Sequence, residues 1–255
     1  MPTTIYNSIA AGYTERKKKL ALLIDPDKFT STDIIKKAET AGVDYLFVGG
    51  SLLSKGNFSK CVEAIKQHTK LPVIIFPGHI DQVSPEADGI LFLSLISGRN
   101  AENLIGKHVL AAPILKKTKL EIIPTGYMLI DGGKVTTATY MSNTVPIPHD
   151  KNDIAACTAL AGEMLGLKLI YMDTGSGAER HVSLKMIKEV KKNISIPLII
   201  GGGIRTPEDA YEVCKAGADM IVIGTIAEES PQLVEQIAKA VHYTESITKT
   251  GIKDA

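Results

Sequence analysis

Residues 197–206 read PLIIGGGIRT, an apolar β-branched run that ends in glycine, and the same plan recurs at residues 168–177 (KLIYMDTGSG) and 219–227 (DMIVIGTIA). Each of these segments is followed by a stretch with helical periodicity. Glycine at the end of a strand lets bare backbone N–H groups approach an anion, and the next helix adds its positive N-terminus. In an eight-stranded βα barrel the loops after strands seven and eight are the usual phosphate site. The three segments therefore predict a barrel enzyme that binds a phosphorylated substrate.

The alternation of strand and helix extends back through the whole chain. Five further strands are predicted, at residues 20–24, 43–48, 73–76, 89–93 and 122–130. They are continuous apolar runs, as expected for a parallel sheet covered on its outer face, and eight repeats favour a closed barrel over an open sheet. We therefore predict the α/β class and a single (β/α)8 TIM-barrel domain over residues 1–255, with its core at about 20–242 and a flexible tail at 243–255.

The chain between the fifth and sixth strands is less regular. Asp131-Gly132-Gly133-Lys134 is predicted to form a tight turn that leads into a hairpin-like excursion at residues 135–140. Residues 143–150, which contain two prolines, are predicted as a loop, and a helix follows at residues 153–165.

Composition excludes several classes of protein. The formal net charge is +1 with both signs mixed throughout, which argues against a nucleic-acid scaffold and gives no strong attraction to a membrane. Cys61, Cys157 and Cys214 are widely spaced and odd in number, so free thiols are expected rather than a disulfide or a zinc site. Because no signal peptide is recognised and no apolar run reaches roughly 18 residues, we expect a cytoplasmic protein with at most peripheral membrane contact.

Two aspartates follow the first predicted strand. Magnesium takes one or two carboxylates together with substrate phosphates, so Asp25 at the strand end is the candidate metal ligand. The alternative is that Asp25 and Asp27 only cap the turn before the next helix. We favour this second interpretation for Asp27.

A third aspartate emerges from the sixth predicted strand. Asp173 and Tyr171 are two residues apart, so their side chains point to the same side of the strand and both face the barrel mouth. An aspartate there can act as a general base. The alternative is a carboxylate that is merely held by neighbouring N–H groups.

Glycine pairs end the last two strands. Gly202 and Gly203 lie just ahead of a Thr-Pro helix start, and Gly224 with Thr225 follows strand eight. Either pair alone is what a tight βα turn requires. Their occurrence at consecutive strand ends favours phosphate binding.

In their order along the chain, these motifs resemble the geranylgeranylglyceryl phosphate synthase family, which includes heptaprenylglyceryl phosphate synthases. The resemblance covers about residues 20–241, and the glycine motifs of strands seven and eight also occur in many other phosphate-binding barrels. The matching motifs are Asp25-Pro26-Asp27-Lys28, Val48-Gly49-Gly50-Ser51, Tyr171-Met172-Asp173-Thr174-Gly175-Ser176-Gly177-Ala178, Gly201-Gly202-Gly203-Ile204-Arg205 and Ile223-Gly224-Thr225.

This resemblance implies a prenyltransferase. The family joins the 3-hydroxyl of sn-glycerol 1-phosphate to C1 of a long-chain prenyl diphosphate, here expected to be geranylgeranyl diphosphate, with Mg2+ as the cofactor. By position, Asp25 and Ser51 would bind Mg2+, Asp173 would accept the hydroxyl proton and Tyr171 would orient the glycerol. The implied contacts to sn-glycerol 1-phosphate are Tyr171, Met172, Asp173, Thr174, Gly175, Ser176, Gly177, Gly202, Gly203, Gly224 and Thr225.

Two positions depart from the pattern of the family. Several relatives carry glutamate where this chain has Asp173, and some bacterial relatives carry lysine where it has Leu23. Phosphate contacts are therefore expected to rest on backbone glycines, with Arg205 or Lys28 as further candidates. A lipid donor also needs an apolar groove, which residues near Phe76, Leu93, Leu95 and Ile96 could line as readily as they could pack in the core.

Three alternatives stay open. The donor could be heptaprenyl diphosphate. The chain could be a phosphoribosyl-isomerase-like barrel, although Asp131 matches the second aspartate of those enzymes poorly, or a non-catalytic barrel that binds a phosphorylated metabolite. Exposed apolar helix faces also predict a homo-oligomer.

Overall fold

The computed structural model describes residues 4–250, and of residues 244–250 the backbone alone. Its parallel strands close into a barrel in chain order, with the last strand paired to the first. The predicted TIM barrel is confirmed. The strands are β1 (Lys19–Ile24), β2 (Tyr45–Val48), β3 (Val73–Ile75), β4 (Gly89–Leu95), β5 (Glu121–Leu129), β6 (Leu169–Asp173), β7 (Leu198–Gly201) and β8 (Met220–Ile223).

Helices cover the outer face of this barrel. Residues 76–88, all of them described, connect β3 to β4 without a helix, and a π-helical turn, Glu102–Gly106, runs directly into the helix after β4. The helices are α1 (Ile5–Thr14), α2 (Asp33–Ala41), α3 (Phe58–His68), α4 (Lys107–Leu115), α5 (Thr137–Ser142), α6 (Asn152–Met164), α7 (Leu184–Asn193), α8 (Pro207–Ala216), α9 (Thr225–Glu229) and α10 (Leu233–Thr250).

The strands read as continuous apolar runs because both of their faces are buried. On β6, Leu169 and Tyr171 point into the barrel, whereas Ile170 and Met172 pack under the surrounding helices. Successive side chains of a strand point to opposite faces, so one run of apolar residues fills two separate cores. The same alternation directs Asp173 to the inner side, at the carboxyl end of its strand.

Helix α1 is an element that the sequence patterns did not predict. Ile5 and Ile9 pack in the inner core, and the Glu121 carboxylate accepts backbone N–H groups from Ile5 at 2.5 Å and Tyr6 at 2.9 Å. Because Glu121 is the first residue of β5, the contact is made at the amino-terminal end of the barrel. Helix α1 therefore closes the end of the barrel that lies opposite the predicted site.

The predicted hairpin excursion at residues 135–140 is wrong. The segment forms the short helix α5, whose N-cap is Thr136, with the Thr136 side chain accepting the Thr139 N–H. Asn143, with a φ of 49°, ends this helix in the left-handed region. The Asp-Gly-Gly-Lys turn suggested a hairpin, but the Thr136 cap stabilises the first turn of a helix.

The predicted start of a tail at residue 243 lies inside α10, which continues to Thr250. Residues 251–255 of that predicted tail lie outside the described residues. Over residues 4–250 we find no helix with the length and apolar character that crossing a membrane requires.

The three cysteines are free thiols, as expected, and none forms a disulfide in the described residues. Burial raises the pKa of both Cys61 and Cys214 to about 12, so these two thiols stay protonated and inert.

Removal of apolar volume from α1 should destabilise the barrel. Ile9 is 2% exposed, so we expect Ile9→Ala to lower the free energy of unfolding by about 2–5 kcal/mol. Met164 is 77% exposed, and Met164→Ala should change stability by less than about 0.5 kcal/mol. Urea unfolding followed by circular dichroism measures both variants. Equal transition midpoints would show that α1 contributes nothing to the fold.

Candidate functional site

Asp173 ends β6 inside the mouth of the barrel and is 6% exposed. Its Oδ2 accepts a hydrogen bond from the Tyr127 hydroxyl at 2.6 Å, and its Oδ1 accepts the Gly175 N–H at 2.7 Å. Both described donors are uncharged, so a buried carboxylate is held here by dipoles alone.

Burial raises the pKa of Asp173 above its ordinary value, and the hydrogen bonds from Tyr127 and Gly175 oppose that rise. Burial, followed by the nearby Asp173 carboxylate, also raises the pKa of Tyr127 well above its usual range. Tyr127 therefore stays protonated and acts as the donor in this pair. A carboxylate with a raised pKa is a stronger base than a solvated one, which suits proton abstraction.

Two further aromatic rings pack against Tyr127 of this pair. Phe76 stacks on Tyr171 with ring centroids 5.1 Å apart, and Tyr127 meets both rings edge-on at 5.7 and 5.5 Å. Tyr127 is a residue of the candidate site that the sequence patterns missed, because it lies within the apolar run of β5. The pairing of β5 with β6 places it directly beside Tyr171.

The glycines after β7 lie against the loop that follows Asp173. Gly202 has a φ of +76°, and a Cβ on it would stand 2.4 Å from Thr174 Oγ1 and 2.8 Å from Asp173 Oδ1. Only glycine allows both this conformation and this approach. The predicted base and the predicted phosphate glycine are thus brought into direct contact.

Two further contacts draw the loops after β6, β7 and β8 together. The hydroxyl oxygens of Ser176 and Thr225 lie 3.2 Å apart, and Arg205 Nη2 donates to the Ala178 carbonyl at 2.8 Å. Arg205 therefore ties two loops together. Thr174 is 2% exposed, and its hydroxyl has no hydrogen-bonding partner in the described part of the chain. We call the region formed by residues 174–178, 201–204 and 224–225 the glycine cradle.

One predicted site residue has its side chain directed away from the cradle, and one residue that was not predicted lies beside it. The Met172 side chain packs in the outer core, so it does not reach the mouth. Lys134 was not predicted as a site residue, yet its Nζ lies 3.9 Å from the place where a Cβ on Gly177 would stand. This ammonium group adds positive charge beside a loop of backbone donors.

Asp25 and the loop after β2 adjoin each other at the same mouth. A Cβ on Gly50 would stand 3.3 Å from Asp25 Oδ1, and Ser51 is the next residue. Asp25 Oδ1 accepts the Asp27 N–H at 3.0 Å. Residues 4–250 contain no group of three or more His, Cys, Asp and Glu side chains placed to hold a metal. Asp25 and Ser51 offer hard oxygen donors of the type that magnesium binds together with substrate phosphates and water.

Asp27 does not cap the turn before α2, contrary to the prediction. Its carboxylate accepts the N–H groups of Ser54, Lys55 and Gly56 at 2.7, 3.1 and 2.6 Å, and the Ser54 hydroxyl as well. These hydrogen bonds lower the pKa of Asp27 to about 2. Asp27 therefore fixes the loop that carries Ser51 relative to the loop that carries Asp25.

Two charged residues considered from the sequence are engaged elsewhere. Lys28 Nζ pairs with Glu228 Oε2 at 2.9 Å, which links the loop after β1 to the short helix α9 that follows β8. Asp131 pairs with Arg180 at 2.8 Å and also accepts the Gly133 N–H. The Asp131 carboxylate thus stabilises a turn. It does not occupy the role of the second aspartate that a phosphoribosyl isomerase needs.

An apolar cavity of about 80 Å³ lies between β4 and α4, where the helix-free connection from β3 to β4 passes. Phe92 and the His108 ring meet edge-on at 4.4 Å in its wall. Burial lowers the pKa of His108, so this imidazole stays neutral. Of the apolar groove candidates, Leu93 lines this cavity. Leu95 belongs to the inner core, Phe76 and Leu93 pack against that core, and Ile96 packs against the outer core.

Comparison with known proteins identifies the relatives of this barrel. The PcrB family profile matches residues 13–244, which is most of the chain. The chain belongs to the PcrB family. A curated relative from Chitinophaga pinensis, named geranylgeranylglyceryl phosphate synthase, is 51% identical over 98% of this chain and 100% of its own length. The resemblance inferred from the motifs is confirmed.

PcrB-family relatives come from archaea as well as bacteria. A geranylgeranylglyceryl phosphate synthase from Methanosphaera stadtmanae is 42% identical over 84% of this chain and 89% of its own length. The crystal structure of (S)-3-O-geranylgeranylglyceryl phosphate synthase from Thermoplasma acidophilum, in complex with sn-glycerol-1-phosphate, matches with a TM-score of 0.89 and 37% identity, covering 94% and 99% of the two chains.

The raised pKa of Asp173 predicts a dependence of stability on pH. The native state holds this proton more tightly than the unfolded chain, so the ionised carboxyl destabilises the protein above the raised pKa. Asp173→Asn should therefore unfold at a higher temperature than the unmutated protein at pH 7, and the difference should shrink as the pH falls through the raised pKa.

Thermal unfolding of both proteins from pH 7 downwards measures this difference. The control is Asp131→Asn, because the Gly133 N–H and Arg180 lower the pKa of Asp131 and its removal should give no gain. A lower, pH-independent unfolding temperature for Asp173→Asn would show that its hydrogen bonds outweigh the cost of burying the charge.

Proposed function

We propose that this protein is a phosphoglycerol prenyltransferase that joins the 3-hydroxyl of sn-glycerol 1-phosphate to C1 of geranylgeranyl diphosphate. The observation that carries the proposal is the contact between the Asp173 carboxylate and Gly202 of the glycine cradle. A base beside an anion site suits one small molecule that carries both a hydroxyl and a phosphate. The names of the relatives identify such a molecule as sn-glycerol 1-phosphate and the activity as that of a geranylgeranylglyceryl phosphate synthase.

In this reaction the glycerol hydroxyl oxygen forms a bond to C1 of the donor. The bond between C1 and the diphosphate oxygen breaks, its electron pair leaves with diphosphate, and the hydroxyl proton passes to Asp173. Burial makes Asp173 a suitable acceptor because it raises the pKa of the carboxyl. Tyr127 and Gly175 hold the carboxylate in one orientation, so the base needs no reorganisation.

The glycine cradle would hold the phosphate. Its backbone N–H groups, the unpartnered Thr174 hydroxyl and the Ser176–Thr225 pair offer uncharged donors, and Lys134 adds a cation at the edge of the loop. Loops after strands seven and eight of such barrels are recurrent phosphate sites. The cradle would therefore position the glycerol so that its far hydroxyl meets Asp173.

Asp25 and Ser51 would hold a magnesium ion at the diphosphate of the donor. When bound, Mg2+ neutralises charge that develops on the leaving diphosphate. Asp27 would keep Ser51 in place by fixing residues 54–56, which begin three positions after Ser51 in the same loop.

The apolar cavity beside Phe92 and Leu93 would accept part of the prenyl tail. It lies between β4 and α4, where a helix-free connection leaves room beside the barrel. Geranylgeranyl diphosphate is the proposed donor because the relatives are named geranylgeranylglyceryl phosphate synthases. Heptaprenyl diphosphate is the alternative donor, and the assay below distinguishes the two.

Incubation with Mg2+, radiolabelled sn-glycerol 1-phosphate and prenyl diphosphates from C10 to C35 tests the proposal. We expect label to become extractable into organic solvent, with the C20 donor turned over fastest. Asp173→Asn should lower kcat by about 10²–10⁴-fold while sn-glycerol 1-phosphate still binds, and the exposed Asp150→Asn should not. No label with any donor, from folded protein that binds sn-glycerol 1-phosphate, would overturn the function.

Asp25 and Asp27 form a matched pair for testing the metal site. Asp25→Asn should raise the Mg2+ concentration needed for half-maximal activity by about tenfold or more, since it removes a charged ligand. Asp27→Asn should lower the unfolding temperature through the freed N–H groups of residues 54–56, with a smaller change in that concentration. Isothermal titration with Mg2+ and inorganic diphosphate gives a second readout. Equal Mg2+ dependence in the two variants would contradict the role of Asp25.

A further inference from the structure

A stripe of apolar side chains lies exposed along the π-helical turn and α4. Ile105, Val109, Leu110 and Ile114 are 59%, 64%, 59% and 47% exposed. Ile105 and Val109 are four residues apart, as are Leu110 and Ile114, so the four form two adjacent rows that together make one broad apolar stripe on the exposed side of the helix. Large apolar side chains normally lie singly on a protein surface, and a contiguous group marks a binding surface. We call this stripe the α4 face.

Positive charge is concentrated in the segment that carries the α4 face, chiefly in the exposed Lys116, Lys117 and Lys119 at the carboxyl end of the helix. Residues 99–119 carry five basic side chains and one acidic one, whereas the whole chain has a net charge of only +1. An exposed apolar stripe flanked by lysines is the pattern of a helix that lies in the interface of an anionic bilayer. The basic residues are Arg99, Lys107, Lys116, Lys117 and Lys119, and the acidic residue is Glu102.

The opposite side of the same helix faces the apolar cavity. His108 and Leu115 are buried there and line the cavity together with Phe92 and Leu93. One helix therefore separates the exposed apolar stripe from the cavity proposed for the prenyl tail. The segment begins with a π-helical turn, an irregularity that is frequent at functional sites.

We propose that the α4 face docks on the surface of an anionic lipid bilayer, with its apolar stripe inserted among the acyl chains and its lysines on the headgroups. The docking brings the cavity next to the lipid phase that dissolves a long prenyl donor and its product. The proposal of membrane contact is argued from the α4 face alone. The proposal that this contact helps to deliver the donor rests on the proposed function.

Charge favours a bilayer over a second copy of this chain as the partner. A two-fold interface places the same patch of both subunits in contact, and here it would bring two sets of basic side chains together. The exposed Lys116, Lys117 and Lys119 would then come near the same lysines of the second copy, which is unfavourable. An anionic surface supplies the opposite charge.

Flotation with lipid vesicles, in the absence of substrates, tests the docking. The full-length protein should float with phosphatidylglycerol vesicles, should float less with phosphatidylcholine vesicles, and should be released by salt. The variant that combines Val109→Gln, Leu110→Gln and Ile114→Gln should bind about tenfold more weakly. The matched control combines Met164→Gln and Leu165→Gln, which are 77% and 79% exposed at the end of α6, and it should bind like the unmutated protein.

Thermal unfolding establishes that each variant is folded, and light scattering after size exclusion gives its oligomeric state. Equal vesicle binding by the α4 variant and the control would overturn the docking. The docking would also be overturned if the α4 variant dissociated into monomers but still bound vesicles, since the α4 face would then be an interface between copies.

The role in donor delivery has a separate readout. Turnover of water-soluble geranyl diphosphate should be the same in the α4 variant and the unmutated protein, whereas turnover of a vesicle-borne C20 donor should fall about tenfold in the variant. If neither the unmutated protein nor the variants turned over either donor, while the unmutated protein still bound vesicles, the proposed function would be rejected. The membrane docking would remain supported. Equal turnover of the vesicle-borne donor would reject donor delivery through this face.

Discussion

A carboxylate kept out of water organises the mouth of this barrel. Asp173 is buried, and its described hydrogen-bond donors, Tyr127 and Gly175, carry no charge. A cation in contact with Asp173 would lower its pKa and weaken it as a base, whereas neutral donors fix its orientation and leave much of the rise caused by burial. Burial therefore disfavours the ionised form of this carboxyl and makes its oxygens more basic than those of a solvated aspartate.

The position of Asp173 sets the rest of the site through the close approach of β6 and β7. Gly202 touches both Asp173 and Thr174, so the backbone of the next strand end lies against the base with no side chain between them. The Ser176–Thr225 pair and the hydrogen bond from Arg205 to Ala178 draw in the neighbouring loops. The distance between the proposed base and the proposed anion site is thus fixed by packed backbone. A rigid relation of this kind suits a substrate whose hydroxyl and phosphate are joined by a short carbon chain.

What the sequence predicted well depended on local patterns. Strands buried on both faces are apolar throughout, and Asp25 and Asp173 stand out at their ends. Helix α1 was missed because its partners, such as Glu121, are distant in sequence. Tyr127 was missed because only the pairing of β5 with β6 places its hydroxyl on Asp173. The role of Asp27 likewise depends on a loop 27–29 residues away.

The side chain of Asp173 is one methylene shorter than the glutamate that several relatives carry at this position. Its hydrogen bonds bear on how a substrate could reach its carboxylate. A carboxylate offers about four lone-pair positions, and Tyr127 and Gly175 occupy one on each oxygen of Asp173. Each oxygen therefore keeps a position for a substrate hydroxyl. Glutamate would carry its oxygens one methylene further into the mouth. With aspartate the proposed substrate hydroxyl would instead approach the end of β6, where Tyr127 and Gly175 hold both oxygens of Asp173 in one orientation.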